Sequence, residues 1–316
     1  MSSMTAFQMI IEQQETWARG KAFTFEKSSH GSGYTHFLAD NLLYSTISLK
    51  TVDEYMAGQG SELERHMRAL YSSSALVVNV FEYWRQTQRI AEVARLCGAS
   101  IDSTDMEFEK KYKIANLGTP NLDIEFSGKQ TKPFAIEAKF SEPYRTTTQR
   151  NDTNLYKYLI KESLWEGLRG CQEIAREILA QEGGKTKWEY LDAPQLIKHI
   201  LGLSYKYKSS GFTLQYLWFD CGTEEVKEFI REILTFRDCV KGEIDFRSMT
   251  YQELFSDIKG LPNVDKEYTS YLRERYFPER QYALRPGTKL YEELIAAEQK
   301  YGVLADKLDK LPPQKP

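Results

Sequence analysis

The chain has 316 residues, of which 41% are hydrophobic and 28% are charged. A sequence of this length and composition can bury an ordinary core, which excludes a globally disordered protein. Its glycine and proline contents are ordinary and exclude collagen-like or low-complexity structure. The 42 basic and 45 acidic side chains give a net charge of −3. This balance excludes a uniformly basic nucleic-acid binder but is compatible with a local basic cleft.

The cysteines and the apolar segments favour a reduced protein of the cell interior. The four cysteines form no C-x-x-C pair and have no histidine at zinc-finger spacing, so no structural zinc site or disulfide framework is predicted. The longest apolar stretches, such as 75–78 and 216–219, are far shorter than the ~18–20 residues of a membrane span. Residues 1–15 lack the features of a secretory signal. We therefore expect a cytoplasmic protein without a membrane segment.

Hydrophobic periodicity predicts helices at both ends of the chain. Apolar residues at helical spacing predict a helix over 5–19 and a largely helical stretch over 61–97, which ends at Gly98. Serines at 72–74 are candidate N-caps within that stretch. Further helices are predicted over 155–182, 194–208 and 224–234, and residues 236–316 are expected to be mostly helical.

The middle of the chain has the pattern of β-strands. Residues 121–126 and 134–140 alternate between apolar and polar side chains, 106–114 alternate in part, and 212–219 form a nearly continuous apolar run. The order from 61 to 220 is therefore helix, three strands, helix, strand. This order predicts an α/β fold in which the first three strands form a meander and the fourth follows a helical crossover.

Three charged side chains are expected to meet on the polar face of this sheet. Period-2 geometry puts Glu137 and Lys139 on one face, ~6–7 Å apart along the strand. If the two alternating segments pair as a hairpin, neighbouring strands ~4.8 Å apart bring Asp123 alongside Glu137. Alanine substitution at these positions is expected to abolish activity and to leave folding intact, because a polar face is not part of the core.

This set of side chains suits the hydrolysis of a phosphodiester. Two neighbouring carboxylates repel each other and need a counter-ion, and hard oxygen ligands suit Mg²⁺, which also accepts a phosphate oxygen. A bound metal ion lowers the pKa of a coordinated water and so supplies a nucleophile near neutral pH. A lysine ammonium can hold that water and stabilise negative charge on the phosphate.

Two motifs carry a resemblance to a known family. Pro120-Asn121-Leu122-Asp123, followed by Ile136-Glu137-Ala138-Lys139, resembles the PD-(D/E)xK nuclease superfamily, which has the restriction-endonuclease-like fold. The resemblance covers about 60–220 and includes the serine run 72–74 and the segment 195–199. Asn121 and Leu122 separate Pro120 from Asp123, which departs from the literal signature and lowers its specificity.

The resemblance implies roles for individual residues. Asp123 and Glu137 would be metal ligands together with the backbone carbonyl of Ala138, and Lys139 would be the catalytic lysine. The implied cofactor is Mg²⁺, for which Mn²⁺ is expected to substitute. In such proteins an additional acidic ligand often comes from an upstream helix or strand, for which three residues remain open: Glu64, Glu82 and Glu109.

Residues 195–199 contain one further candidate. Gln195 resembles a position that lies near the active site in some superfamily members, and an ordinary polar residue at a helix start is an equal alternative. Lys198 and His199 are interpreted as ordinary helix-surface residues.

Two segments are candidates for contact with nucleic acid. The loop that follows the second strand carries side chains of the types that bind phosphates and read base edges: Arg145, Thr147, Gln149 and Arg150. The second segment is the basic and aromatic stretch 271–285, for which a solvated amphipathic helix with tyrosines packed on the core is the favoured interpretation.

These features predict an α-β-β-β-α-β core, a mixed sheet flanked by helices, over 61–235. Residues 1–60 and 236–316 would be helical extensions, or the whole chain would form one compact domain. The resemblance implies a Mg²⁺-dependent deoxyribonuclease, a type II-like restriction endonuclease in restriction or anti-phage defence. The alternatives are a catalytically silent nucleic-acid-binding protein on the same fold and a nuclease subunit active only in a larger complex. Expected partners are double-stranded DNA, a second copy of the chain and a defence-system protein.

Overall fold

The computed structural model describes residues 4–27, 33–35, 37–44, 47–58, 62–145, 153–180 and 187–278. The α-helices of these residues are α1 (Ala6–Gly20), α2 (Leu49–Ala57), α3 (Ser73–Gln86), α4 (Ile90–Leu96), α5 (Tyr156–Leu159), α6 (Arg169–Ala180), α7 (Ala193–Tyr207), α8 (Glu225–Val240), α9 (Tyr251–Gly260) and α10 (Lys266–Arg275). The strands are β1 (Phe25–Lys27), β2 (Gly33–Thr35), β3 (Asp105–Lys111), β4 (Asn121–Ser127), β5 (Phe134–Lys139), β6 (Thr213–Trp218) and β7 (Asp245–Thr250).

Five of the described strands form one mixed sheet in the order β3-β4-β5-β6-β7, and β1 pairs with β2 separately. The first three strands of the large sheet are antiparallel, and β6 and β7 continue it in parallel. The predicted meander and the helical crossover before β6 are therefore present. The result is a mixed α/β architecture that is compatible with a restriction-endonuclease-like fold.

Helices cover both faces of the sheet. On one face, α3 packs against β4, where the ring centroids of Phe81 and Phe126 are 6.1 Å apart. On the other face, α7 lies over the polar side of β4 and β5, and the Tyr207 hydroxyl donates to Glu125 at 3.4 Å. Because successive strand residues point to opposite faces, the apolar side of these strands forms the core and the polar side meets α7.

The helical stretch over 61–97 is interrupted rather than continuous. Ser72 caps the start of α3, since its hydroxyl oxygen accepts a hydrogen bond from the Ala75 N–H at 3.2 Å. The helix ends before Gln88, which has a left-handed φ of 57°. The chain then turns into α4. The serine cap depends on residues that are close in sequence. The interruption between α3 and α4 depends on how each helix packs against the rest of the protein.

The prediction of a mostly helical segment after residue 236 is wrong for β7. Residues 245–250 pair in parallel with β6 and form an edge of the sheet. The sequence of the segment lacks a clear alternation of apolar and polar residues, because two polar residues, Arg247 and Ser248, follow each other. Its strand conformation depends on hydrogen bonds to β6, and such pairing leaves little trace in the sequence.

The basic and aromatic stretch at 271–285 is less solvated than predicted in its described part. The guanidinium of Arg275 is fully buried and donates to the Asn41 carbonyl at 2.7 Å and to Gln14 Oε1 at 2.9 Å. It also lies 4.2 Å from the ring centroid of Trp17. Arg275 therefore connects α10 to α1. The main cluster of buried apolar side chains extends from Ala6 to Phe277, and Trp17 belongs to a second, smaller cluster.

Candidate active site

Three carboxylates lie in a row across three neighbouring strands, from the edge strand β3 to β5. The pairs on either side place Glu109 of β3 opposite Asp123 of β4. Glu137 lies one position beyond the last pair of β4 and β5, Ile124 with Ile136, and so beside Asp123. Side chains at such positions share a face of the sheet. Lys139 lies two residues beyond Glu137 and therefore on the same face.

Short polar contacts hold the centre of this row. Asp123 Oδ2 accepts the Ala138 N–H at 2.6 Å, which joins β4 to β5 where their regular pairing ends. Lys139 Nζ donates to Glu137 Oε1 at 2.6 Å. His199 Nε2 of α7 lies 3.0 Å from Glu137 Oε2. One oxygen of Glu137 therefore accepts a hydrogen bond from Lys139 and the other is in close contact with His199 without hydrogen-bond geometry, whereas Asp123 has one neutral backbone donor.

The two central carboxyls have opposite pKa shifts. Burial alone would raise the pKa of Glu137, but the charge of Lys139 and the contact with His199 lower it to about 2. Burial, together with the negative charge of Glu137, raises the pKa of Asp123 well above its usual range, although Lys139 opposes the effect. A second positive charge beside Asp123 would relieve this repulsion.

Glu109 is the third member of the row and has an unusual backbone. Its φ of 51° lies in the left-handed region, which is strained for a residue with a side chain. Burial, chiefly, raises the pKa of its carboxyl to about 7, and the charges of Glu62 and Glu137 add to this. Asn121 Nδ2 donates to Glu109 at 3.1 Å and opposes the rise.

The row opens into a polar cavity of about 500 Å³. One side of this cavity is formed by Ser73 and Ser74 at the start of α3 and by Glu62, which accepts a hydrogen bond from the Ser74 hydroxyl at 2.8 Å. Another side is formed by α5 and α7. The side chains of that side include Lys157, Tyr158, Gln195, Lys198 and His199.

The structure brings together some of the predicted site residues. Asp123, Glu137 and Lys139 share the cavity, and the candidates Glu109 and Gln195 also line it. Ala138 joins them through its backbone. Because the N–H and C=O of one strand residue face the same side, the Ala138 carbonyl also lies on the β4 side.

The candidates Glu82 and Glu64 lie elsewhere. Glu82 is fully buried beneath the start of α2, where it accepts the Ser48 N–H at 2.7 Å and the Thr51 hydroxyl at 2.6 Å. Glu64 is exposed and does not line the cavity. Its neighbour Glu62, which was not a candidate, does. The sequence could not separate these acids, because each lies in a segment whose packing depends on distant parts of the chain.

His199 is the site residue that the sequence interpretation missed. It was expected on the helix surface, but only 2% of its side chain is exposed, and it faces Glu137. A signal was available, because Gln195 and His199 are four residues apart and therefore neighbours on one helix face. A candidate role for Gln195 thus implied a similar place for His199.

The predicted DNA-binding loop is described only at its start. The Arg145 guanidinium carbon lies 4.5 Å from the ring centroid of Tyr71 and 5.5 Å from that of Phe7, and Arg145 does not line the cavity. The stacking on two rings gives Arg145 a packing role. Thr147, Gln149 and Arg150 lie outside the described residues.

The donor set at the cavity fits a metal ion that keeps water ligands. Within the described ranges, no group of three or more histidine, cysteine, aspartate or glutamate side chains is arranged to hold a metal ion by itself. Asp123 and Glu137 nevertheless provide two carboxylates on adjacent strands, with the Ala138 carbonyl beside them. Mg²⁺ is bound in many proteins by one or two carboxylates and several waters. The chemistry of the donors therefore suits Mg²⁺ better than Zn²⁺ or Ca²⁺.

The mixed sheet flanked by helices, with two carboxylates and a lysine at a polar cavity, is compatible with the class of restriction-endonuclease-like α/β proteins. The chain belongs to the family REase-ARP, described as restriction endonuclease associating with ARP, whose model matches residues 8–277. No curated protein and no solved structure matches the chain. Membership of this family suggests a nuclease or a defence role. Among the described helices, none is long and apolar enough to cross a membrane.

Proposed function

We propose that the chain is a Mg²⁺-dependent endonuclease of the PD-(D/E)xK type that hydrolyses DNA and acts in restriction or anti-phage defence. The observation that carries the proposal is the meeting of Asp123, Glu137 and Lys139 in one polar cavity. The family assignment supports the nuclease class. Mn²⁺ is expected to replace Mg²⁺, because both prefer oxygen ligands.

Asp123, Glu137 and the Ala138 carbonyl would hold the metal ion. When bound, the ion would polarise the phosphate and lower the pKa of a coordinated water. The repulsion between Asp123 and Glu137 supports this assignment, because a divalent cation would replace repulsion by attraction to both carboxylates.

Lys139 would act on the water and the phosphate. Its ammonium donates to Glu137 at 2.6 Å, and only 12% of its side chain is exposed, so it is held in place before substrate arrives. Burial alone would lower the pKa of Lys139, but Glu137 and Asp123 raise it well above its usual range. Lys139 would therefore stay charged and orient the attacking water while it stabilises charge on the phosphate.

Two further lysines of the cavity support a polyanionic substrate. Lys157 of α5 and Lys198 of α7 line the same cavity as Asp123 and Glu137. Ammonium groups beside a scissile phosphate would offset the repulsion between the DNA backbone and the carboxylates. Double-stranded DNA is the proposed substrate, and cutting both strands would be achieved by a pair of chains.

The family description favours a second protein in the reaction. Its name states an association with ARP. We therefore include in the proposal a defence-system partner that binds this chain. A requirement for that partner would make the isolated chain a metal-binding protein without cleavage activity.

The test is cleavage of plasmid and phage DNA with Mg²⁺, with Mn²⁺ and with EDTA. We expect cleavage by the wild type with either metal and none with EDTA or in Asp123→Asn. Asp257→Asn is the matched control, because Asp257 is exposed on α9 and does not line the cavity. Discrete bands would indicate a sequence-specific enzyme, and a smear would indicate a nonspecific one. Cleavage by Asp123→Asn at the wild-type rate would contradict the proposal.

Metal titration by calorimetry separates a silent protein from a partner-dependent nuclease. A nuclease that needs a partner is expected to bind Mn²⁺ alone and to lose that binding in Asp123→Asn. A catalytically silent protein is expected to bind no metal at this site in either form.

A further inference from the structure

A second cavity, of about 860 Å³, lies along the same helix as the first. The first cavity is lined by Lys157 of α5 and Lys198 of α7, and the second by Lys161, just beyond α5, and by Lys208, just beyond α7. Both cavities thus lie between the same two walls, the segment 153–167 and α7. The volume is within the range of about 300–1,000 Å³ that is usual for ligand sites.

The geometry of α7 places the two cavities along one face of the helix. Lys198 lines the first cavity, and Tyr205 lines the second. These residues are seven positions apart, which is two turns of helix, so their side chains lie on the same face. We call the path defined by Lys157, Lys161, Lys198 and Lys208 the α7 groove.

The charge of the second cavity favours an anion. In the part of the chain that the structure describes, the Lys161 and Lys208 side chains make no ion pair or hydrogen bond. Glu166 is the carboxylate that lines this cavity. The neighbouring Glu162 faces α6, where it lies 3.8 Å from Arg176 and accepts a hydrogen bond from Gln172 at 3.1 Å.

Neutral donors and an aromatic ring complete the lining. Ser163, Ser204 and Ser209 contribute hydroxyls, and the buried Oγ of Ser204 has no hydrogen-bond partner among the described residues. The Tyr205 side chain is 55% exposed although it is large and aromatic. Lysines, hydroxyls and an exposed ring are the groups that bind the phosphates and stack on the bases of a single strand.

A glycine allows the two walls to approach each other. Gly167 has a φ of 73°, and a Cβ at this position would lie 2.9 Å from the Ser209 Oγ. A side chain there would be strained by the backbone conformation, and the Ser209 hydroxyl would have to shift. Gly167 therefore lets the segment that follows α5 lie close to the end of α7.

We propose that the α7 groove binds a single-stranded flank of the nucleic acid whose scissile phosphate lies in the first cavity. This inference rests on the proposed function and adds to it the place and form of the substrate beside the cleavage point. The helix from Lys198 to its end at Tyr207 is about 14 Å long. That length corresponds to about four nucleotides at the ~3.4 Å spacing of a stacked strand.

The experiment measures the binding of two labelled probes by fluorescence anisotropy in EDTA. One probe is a blunt hairpin duplex, and the other is the same hairpin with a short single-stranded extension at its 5′ or 3′ end. We expect the wild type to bind one extended probe more tightly than the blunt one. Lys161→Ala/Lys208→Ala should weaken that binding on the order of tenfold and reduce the salt slope by about 1.4, because each phosphate contact to a single strand contributes ~0.7.

Tyr205 gives a second, uncharged test. Tyr205→Ala should weaken binding of the extended probe about tenfold through the loss of stacking, with the salt slope unchanged, and Tyr205→Trp should restore the binding. Lys227→Ala/Lys259→Ala is the matched control, since these lysines line neither cavity. It should bind both probes as the wild type does.

The outcomes distinguish a failure of the groove proposal from a failure of the nuclease proposal. The groove proposal is overturned if the wild type binds neither probe, if it binds both equally, or if the lysine pair leaves the salt slope unchanged. The last result would assign the second cavity to another ligand, such as a protein partner, even in an active nuclease. If the groove variants lose binding but the wild type neither cuts DNA with Mg²⁺ or Mn²⁺ nor binds Mn²⁺ in calorimetry, the groove stands and the nuclease proposal fails.

Discussion

The imidazole Nε2 of His199 lies 3.0 Å from Oε2 of Glu137, and both side chains are 2% exposed. The other oxygen of the same carboxylate accepts from Lys139. The orientation of Glu137 is therefore fixed from two sides, by its own strand and by α7. A carboxylate fixed in this way can hold a metal ion without first losing rotational freedom, so His199 is a positioning residue for the proposed site.

We predict that His199→Ala lowers the rate of cleavage by about 10–100-fold and raises the Mg²⁺ concentration needed for half-maximal activity. His199→Gln should recover part of both, because the amide of the new side chain can reach Glu137 from the same position on α7. The measurement is the Mg²⁺ dependence of initial rates, with the melting temperature of each variant beside it. Lys206→Ala is the control on the same helix, outside both cavities. An unchanged Mg²⁺ requirement in a folded His199→Ala protein would show that the contact has no such role.

The burial of Glu137 changes the expected effect of alanine substitution on stability. The sequence predicted intact folding after this change, because the polar face was expected to be solvated. In the structure, Glu137→Ala would leave the Lys139 ammonium, whose side chain is 12% exposed, without its carboxylate. Removing one partner of a buried ion pair costs about 3–5 kcal/mol.

We therefore predict a loss of about 3–5 kcal/mol in the free energy of unfolding for Glu137→Ala, measured by urea denaturation. Glu137→Ala/Lys139→Met should recover much of this loss, because the unpaired charge is gone. A double-mutant cycle with Lys139→Met alone gives the interaction energy. Equal stability of Glu137→Ala and the wild type would mean that the pair is solvated.

In contrast to Glu137→Ala, Asp123→Asn is expected to stabilise the metal-free protein. Burial and the charge of Glu137 raise the pKa of Asp123, so the metal-free fold loses stability as the pH rises from the usual range of an aspartate toward that raised pKa. The neutral amide removes this penalty, and we predict a melting temperature about 2–4 °C above that of the wild type at neutral pH without metal. Differential scanning calorimetry in EDTA measures the two melting temperatures. Added Mg²⁺ should stabilise the wild type and leave Asp123→Asn unchanged.

Glu109 gives a pH-dependent prediction. Its pKa is raised, chiefly by burial, from 4.5 to about 7 in the folded protein. The neutral carboxyl therefore favours folding below pH 4.5, and that stability is lost as the pH rises toward about 7. The stability of Glu109→Gln relative to the wild type should increase over this range by up to about 3 kcal/mol, at ~1.36 kcal/mol per pKa unit. Denaturation at several pH values measures the difference, and a constant difference would contradict it.

Glu82 is predicted to matter for stability and not for cleavage. It accepts hydrogen bonds from the Ser48 N–H and the Thr51 hydroxyl at the start of α2. Glu82→Ala would leave these donors without a partner, at a cost of about 1–3 kcal/mol. We expect a lower urea midpoint with an unchanged cleavage rate and Mg²⁺ requirement at temperatures where the variant is folded. A changed Mg²⁺ requirement would indicate that Glu82 contributes to the metal site.

The sequence by itself determined which face each strand residue occupies. The alternation around Asp123 and around Glu137 is a local property of the extended backbone, so the shared face of Glu137 and Lys139 could be read directly from the spacing. The cap at Ser72 is likewise a contact between residues three apart. Such features need no information from distant parts of the chain.

Only the tertiary structure decided which partners these side chains meet. His199 is buried because α7 crosses the polar face of the sheet. Glu62 rather than Glu64 lines the cavity. β7 is a strand because it pairs with the edge of β6. Burial and charge pairing arise between segments far apart in sequence. Their free energies depend on distances and solvent exposure that no local pattern encodes.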